Sequence, residues 1–477
     1  MSDRRRVPVV VLAVVLVVIG VLDRADRPAL TPVGQRLATA YAPAASPPDS
    51  LTSTWYCPAG TATGGFADAT VIVFNPTSRQ VHGFVDVVGS DGNRGSRSVS
   101  IEPRQRLIQP LVQILKAAYV AATVRLDAGG VIVEHVTNGP VGSATGMCAS
   151  SASTDWYVPE GATTKSAQLI YALFNPFPDD AIVDMSFATD QGRDAPADFQ
   201  GVVVPANGLM PLDIGSHVRR RAHVSAAIHA RRGRIVVEVL QIHNGDGRRG
   251  VGLMLGLPRT ATSFVFPDGI AGRDRFEQLH LFNPNNQEAQ VSLDLVLDQG
   301  QAQPFKLDVP AQSRITVDLT SESRVPKDVG HALLLQVTNN VPVAVARTID
   351  AGPPNARDGY VSDVGATGAA MHWAFAAGEV TSSVGEWIAV INEAPTAVVV
   401  DATNPNGGAL NFLQGLGGVR IPRGARKVFR LADFGVTGGA PLVVNATGPV
   451  VVERTMYPTD GTGASATMGA VLSTAEG

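Results

Sequence analysis

Apolar and polar positions alternate along this chain in short runs, and the runs return about every hundred residues. Residues 81–87, 181–187 and 291–297 alternate with a period of two. Each ends at a glycine turn: Ser90-Asp91-Gly92, Asp190-Gln191-Gly192 and Asp298-Gln299-Gly300. Alternation bounded by such turns marks a strand and its hairpin. Copy four offers Pro405-Asn406-Gly407 at this place. A more apolar run precedes each alternating one and ends on an asparagine: Asn75, Asn175, Asn283 and Asn392. In the first three copies proline follows, a residue that cannot donate to a ladder, beside an asparagine that can close the turn on the backbone.

The asparagines stand 19 or 20 residues after an opening aromatic, Trp55, Trp156, Phe264 or Trp373. Each aromatic begins a marker: Trp55-Tyr-Cys-Pro-Ala-Gly60, Trp156-Tyr-Val-Pro-Glu-Gly161, Phe264-Val-Phe-Pro-Asp-Gly269 and Trp373-Ala-Phe-Ala-Ala-Gly378. An apolar-proline step follows each asparagine by 27 to 30 residues, at Pro103, Pro205, Pro310 and Pro422. Each unit then closes on what reads as a hairpin whose second arm is very apolar, at 131–134, 235–238, 343–346 and 450–453. A fixed period over most of a chain means an array of similar units. About seven short strands per period, without long helices, predict an all-β chain of four tandem immunoglobulin-like sandwich repeats. A β-propeller is the alternative, although its blades of roughly 40–50 residues are half this period. The expected divisions are 1–24, a cytoplasmic tip and signal-anchor helix; 25–52, a Pro/Ala-rich stalk; and repeats at 53–150, 151–259, 260–368 and 369–477, in short-seamed contact as a semi-rigid array.

The N-terminus begins with Arg4-Arg5-Arg6 before an apolar run from Val7 to Leu22. A basic flank before such a run orients it with the arginines in the cytoplasm. As a helix, 16 residues reach about 24 Å, short of the ~30 Å hydrocarbon core. No small-x-small cleavage site follows closely, so the expectation is a single-pass anchor with the repeats outside the cytoplasmic membrane. Secretion after cleavage is the alternative. The two cysteines, Cys57 and Cys148, bracket the first repeat and read as its disulfide in an oxidising compartment. Net charge is −4, which gives no sign of a nucleic-acid binder. The 49 glycines, 32 prolines and 17% charged residues fit a many-turned β protein.

Chemistry is sparse. The chain has no G-x-S-x-G, H-E-x-x-H, Walker or acidic calcium-loop motif, and its nine histidines are scattered, so no catalytic residue, metal site or cofactor is assigned. Glu134, Glu238 and Glu453 recur at one position, where copy three has Ala346 followed by Arg347. They read as structural, paired across strands with a basic neighbour such as Arg125 for Glu134. The opening aromatics read as core plugs, and Trp387 as freer to be exposed. One stretch holds Arg219, Arg220, Arg221, His223, His229, Arg231, Arg232 and Arg234 with no acid between them. In a strand, His223 and His229 lie opposite Val224 and Ile228, with Arg231 to Arg234 at a hairpin tip. This is a candidate patch for an anionic envelope polymer or lipid headgroup, since arginine forks suit phosphate and carboxylate.

The anchor, the Trp-Tyr-Cys-Pro-x-Gly marker, the Phe-Asn-Pro strand ends and Cys148 together resemble a family of actinobacterial membrane-anchored envelope proteins of unknown function. That resemblance covers the chain after the stalk, and copy four, with Ala376 and Glu393 in place of prolines, fits it least. It implies secreted β proteins often encoded beside cell-wall glycosyltransferases, and it brings no catalytic residues. The expected function is a non-enzymatic, membrane-anchored envelope scaffold, with the membrane and envelope polysaccharide or proteins as partners. A carbohydrate- or anionic-polymer-binding accessory and an uncharacterised hydrolase are the alternatives.

Overall fold

The computed structural model describes residues 43–473, apart from 246, 273–274, 301, 353–358, 407–408, 413–415 and 459–462. Its regular elements are strands, with only short 3-10 turns between them. The strands close no barrel and build no propeller. In copy one Ser53–Cys57, Val120–Leu126, Val81–Gly89 and Arg94–Ile101 form one antiparallel sheet in that spatial order. Gln105–Pro110, Asp68–Asn75, Ile132–Gly139 and Gly142–Met147 form a second. Copies two and three repeat this order. The propeller alternative falls because each of the first three periods divides its strands between two sheets.

The two arms expected to close each unit as a hairpin do not pair. Val120–Leu126 lies in the first sheet and Ile132–Gly139 in the second, so the Gly129-Gly130 turn carries the chain between sheets. In copy four the same passage is one strand, Leu442–Pro458, and it joins both sheets into one of nine strands. The opening aromatics are core plugs: Trp55, Trp156, Phe264 and Trp373 are fully buried. Cys57 and Cys148 form a disulfide across a separation of 91 residues. Closing a loop of that length stabilises by at most about 4.6 kcal/mol in the chain-entropy model.

The recurring asparagine is a clamp. Asn392 donates its side-chain amide to the carbonyls of Thr396, Ile421 and Pro422 at 2.8, 3.0 and 3.0 Å, and accepts from Ala394 N–H at 2.8 Å. Asn283 does the same with Gln287, Val309, Pro310 and Asn285. Asn75 and Asn175 repeat the pattern. One buried side chain thus ties the end of its strand to the apolar-proline step, which belongs to the opposite sheet's return.

The expected membrane anchor is corrected. Among the described residues no helix is long and apolar enough to cross a membrane. The run 7–22 lies outside the described residues, and as a helix it falls short of the hydrocarbon core by about 6 Å. The single-pass topology and the membrane partner are withdrawn, and with them the localisation that rested on this anchor. Residues 43–52, placed in the stalk, lie against the folded body. Ala45 N–H donates to Val471 O at 3.0 Å, and Ser46 O accepts from Gly130 N–H at 2.8 Å, which straps copy four to copy one.

Asn283→Ala is expected to lower the stability of the full chain by about 3 kcal/mol, because it leaves buried carbonyls unpaired. Asn283→Asp, equal in shape but without the donors, should cost at least as much. Urea denaturation of the two variants checks this, and an aspartate variant as stable as wild type would refute the clamp.

Candidate functional site

The recurring glutamates sit at the joints between copies, and the four copies close into a ring. Each copy ends on an axial strand: Gly142–Met147, Arg248–Leu255, Gly359–Val364 and Ser465–Met468. All four line one small, mostly apolar cavity of about 60 Å³. Glycines allow the approach. A Cβ on Gly252 would come within 2.6 Å of the Tyr360 ring, and one on Gly359 within 2.6 Å of the Ala464 backbone. Thr467 Oγ1 donates to Thr145 O at 3.1 Å and joins copy four to copy one.

Each joint between copies is built from the same positions. The strand glutamate of one copy accepts the marker N–H of another: Glu238 from Ala59 at 3.1 Å, Glu453 from Asp268 at 2.9 Å and Glu134 from Ala377 at 2.5 Å. The residue after that glutamate reaches the glutamate of the next copy. His135 lies 3.3 Å from Glu238, Arg454 3.0 Å from Glu134, and Arg347 bonds Glu453. At the fourth joint both partners are apolar: Ala346 packs into the copy-two core that holds Val239. The cation and the carboxylate are therefore kept or lost together. The expected partner of Glu134 was Arg125, which instead pairs with Asp86 at 2.7 Å on the surface.

A second position follows the same logic. Arg106, Leu209, Arg314 and Arg426 stand opposite the residue before each asparagine, Phe74, Phe174, Phe282 and Ile391. Arg314 bonds Glu160 of the copy-two marker at 2.6 Å, and Arg426 bonds Asp268 of the copy-three marker at 3.0 Å. Arg106 donates to Gly378 O at 2.9 Å. Leu209 faces the copy-one marker, which offers Ala59 where copies two and three have an acid, and both belong to one apolar core.

Burial dominates the electrostatics. Glu386, near Arg454 and Glu134, is pushed up to about 8 by burial, with Glu134 adding to the rise against the pull of Arg454. Burial also raises Asp363 to about 6 and Glu453 to about 8, although Arg347 opposes both. Burial lowers His243 to about 4 and holds His280 well below its ordinary value.

Two gatherings have the composition of metal sites: Cys57, His135 and Cys148, and Glu160, His223 and His280. In the first both sulfurs are spent on the disulfide. In the second Arg314 stands 2.6 Å from Glu160 and 3.1 Å from His280, where a cation would have to sit. Both gatherings are therefore joint chemistry.

The candidate anion patch is divided in space. His223 turns into the joint and lies 3.1 Å from Glu160. His229 and Arg231 point to solvent beside acids of neighbouring strands, Asp155 at 2.8 Å and Asp184 respectively. Arg219 and Arg221 bond loop carbonyls, and Arg220, with φ 55°, sits in the turn between them. Arg232 is exposed at the crossing between sheets, and Arg234 lies 4.9 Å over the Phe177 ring. Trp387 is half-buried, edge-on to Tyr457 at 5.7 Å.

These features define an all-β protein of four copies, three of two sheets and one of a single joined sheet, locked into a ring by buried ion pairs. The chain belongs to the family of unknown function DUF5719, which matches residues 118–411. No curated protein matches the sequence. Among solved structures, Thermotoga maritima 1070 is similar at 18% identity, over 22% of this chain and 94% of that one, with a TM-score of 0.20. The Anabaena sensory rhodopsin transducer is similar at 22% identity, over 19% and 89%, with a TM-score of 0.17. A tetra-tandem repeat from the extending region of a large adhesion protein is similar at 12% identity, over 88% and 99%, with a TM-score of 0.11. At these scores none bears on function.

Removing one member of a buried pair costs about 3–5 kcal/mol, whereas replacing both by apolar groups is near neutral. Glu134→Ala is therefore expected to destabilise the full chain by that amount. Glu134→Ala with Arg454→Val, which copies the apolar joint, should recover more than half of it in urea denaturation. A double variant no better than the single would refute the pairing.

Glu386 also fixes a pH dependence. Its folded pKa lies above the unfolded one, so its stabilisation is complete below about 4.5 and is lost as pH rises to about 8. His243 and His280 act with the opposite sign below 6.5. Between pH 6.5 and 8 the melting temperature should fall, with one such carboxyl contributing at most about 2 kcal/mol. Glu386→Gln should flatten that slope, and an unchanged slope in scanning calorimetry would count against it.

Proposed function

We propose that this protein is a non-enzymatic scaffold whose four immunoglobulin-like copies act as one rigid ring and present their outer sheet faces to partners. One observation supports this reading above all. The residues that recur, namely the aromatic plug and the asparagine clamp in all four copies and the joint glutamate with its cationic or imidazole partner at three joints, are used inside the fold. Repetition in this chain has thus served assembly, and what differs between copies lies outside. Large apolar side chains stand half-exposed on those outer faces: Phe84, Ile108, Val203 and Phe276. The family resemblance supports a cell-envelope setting in an actinobacterium, with envelope proteins or polysaccharide as the class of partner.

A photo-crosslinking residue at each of these four positions, in the native cell, tests the reading. The expected result is a discrete adduct from one or two positions, lost when Glu134→Ala opens the ring. Turnover of a glycan by the purified protein, abolished by a single carboxylate substitution, would replace the scaffold with a hydrolase.

A further inference from the structure

Two neighbouring joints of the ring carry equivalent grooves, and one of the two is open. Between copies one and two it has a volume of about 550 Å³, lined by Asp86, Arg94, Ser96, Thr123 and Arg125 on one side and by Phe174, Pro176 and Asn207 on the other. The equivalent groove between copies two and three measures about 50 Å³. The difference has a local cause. Arg193, which stands where copy one has Arg94, reaches across to Gln312 at 2.7 Å and closes that groove. Arg94 only grazes the far wall, at 3.3 Å from Ala206 O.

The floor of the open groove is ordered. Thr123, Asp86 and Ser96 stand opposite one another across three strands of one sheet. Asp86 is held by Arg125 Nε and Ser96 Oγ, each at 2.7 Å. In the next row Arg125 lies 5.6 Å over the half-exposed ring of Phe84.

We propose that this groove binds a carboxylate-bearing sugar of a uronic-acid oligosaccharide. A row of hydroxyls with one fixed carboxylate both donates to and accepts from sugar hydroxyls. Two guanidinium groups against one acid leave an excess positive charge, and an arginine fork takes a carboxylate in two parallel bonds. Asp86 on the floor disfavours a dianionic phosphate by like-charge repulsion. The volume lies within the ordinary range for a small-ligand site, roughly 300–1,000 Å³. The site does not depend on the scaffold reading, since it uses only the joint between copies one and two.

Isothermal titration of the full chain with a trisaccharide of galacturonic acid tests the assignment, with trigalactose and inorganic phosphate as controls. The trisaccharide should bind, and Arg94→Ala and Arg125→Ala should each weaken it about tenfold. Arg193→Ala, in the closed groove, should leave binding unchanged. Binding should also weaken as salt is raised from about 50 to 500 mM. Circular dichroism of the surface variants confirms that each is folded. No binding by the folded protein, equal affinity for trigalactose, stronger binding of phosphate, or an equal loss with Arg193→Ala would overturn the site.

Discussion

A carboxylate cannot be left alone in a dry joint, and the ring is organised around that constraint. Burying an ion costs several kcal/mol, recovered only when a partner and hydrogen bonds are in place. For the three recurring glutamates the partner comes from another copy. Glu134 takes Arg454 and the Ala377 N–H, so it is satisfied only when the end of the chain has returned to its beginning. The same requirement at Glu238 and Glu453 orients the other copies. Such pairs add little net stability over apolar groups, but they penalise every arrangement that leaves a charge unmatched. Four similar units could stack in several ways, and the joints permit one.

The apolar joint completes this logic. Where copy three lost its glutamate to Ala346, copy two carries Val239 in place of the cation, and both sit in one apolar core. The charge of that joint has moved to the marker, where Glu160 meets Arg314 beside His280. One carboxylate still crosses the joint, but at a different place. Glu386 and the Glu453–Asp363 pair show the limit of the device. Around Arg454 and Arg347 there are more carboxyls than cations, and burial keeps protons on the surplus.

Much of the fold was legible because strands and turns write local signals. The aromatic plug, the asparagine and the apolar-proline step are spaced by the length of one sandwich, and the clamp joins the last two. The glutamates were visible as a repeat, but their partners were not. Arg454 is 320 residues from Glu134, and a period reports how a unit is built without reporting how successive units rotate. The array therefore read as linear and semi-rigid. A usable signal was present in the residue after each glutamate: His135, Val239, Arg347 and Arg454 are cationic or imidazole where the next copy has a glutamate and apolar where it has Ala346. The arginine-rich stretch failed for the complementary reason. Its acids lie on neighbouring strands and loops, at Asp155, Asp184 and Glu160, so a run that looks basic in one dimension is largely matched in three.

Function then has to be sought where the copies differ. A position that recurs four times in a ring is explained by the ring, whatever its chemistry. Glu160 with His223 and His280 has the make-up of a metal site and Cys57 with His135 and Cys148 that of another, yet each is accounted for by the joint or the disulfide it builds. The joint between copies one and two departs from its neighbour by leaving its outer groove open, and that departure costs contacts that Arg193 and Gln312 make one step round the ring. An unfilled groove forgoes dispersion contacts along both walls. Retaining it at one joint while closing it at the next is what a binding role at that joint would require.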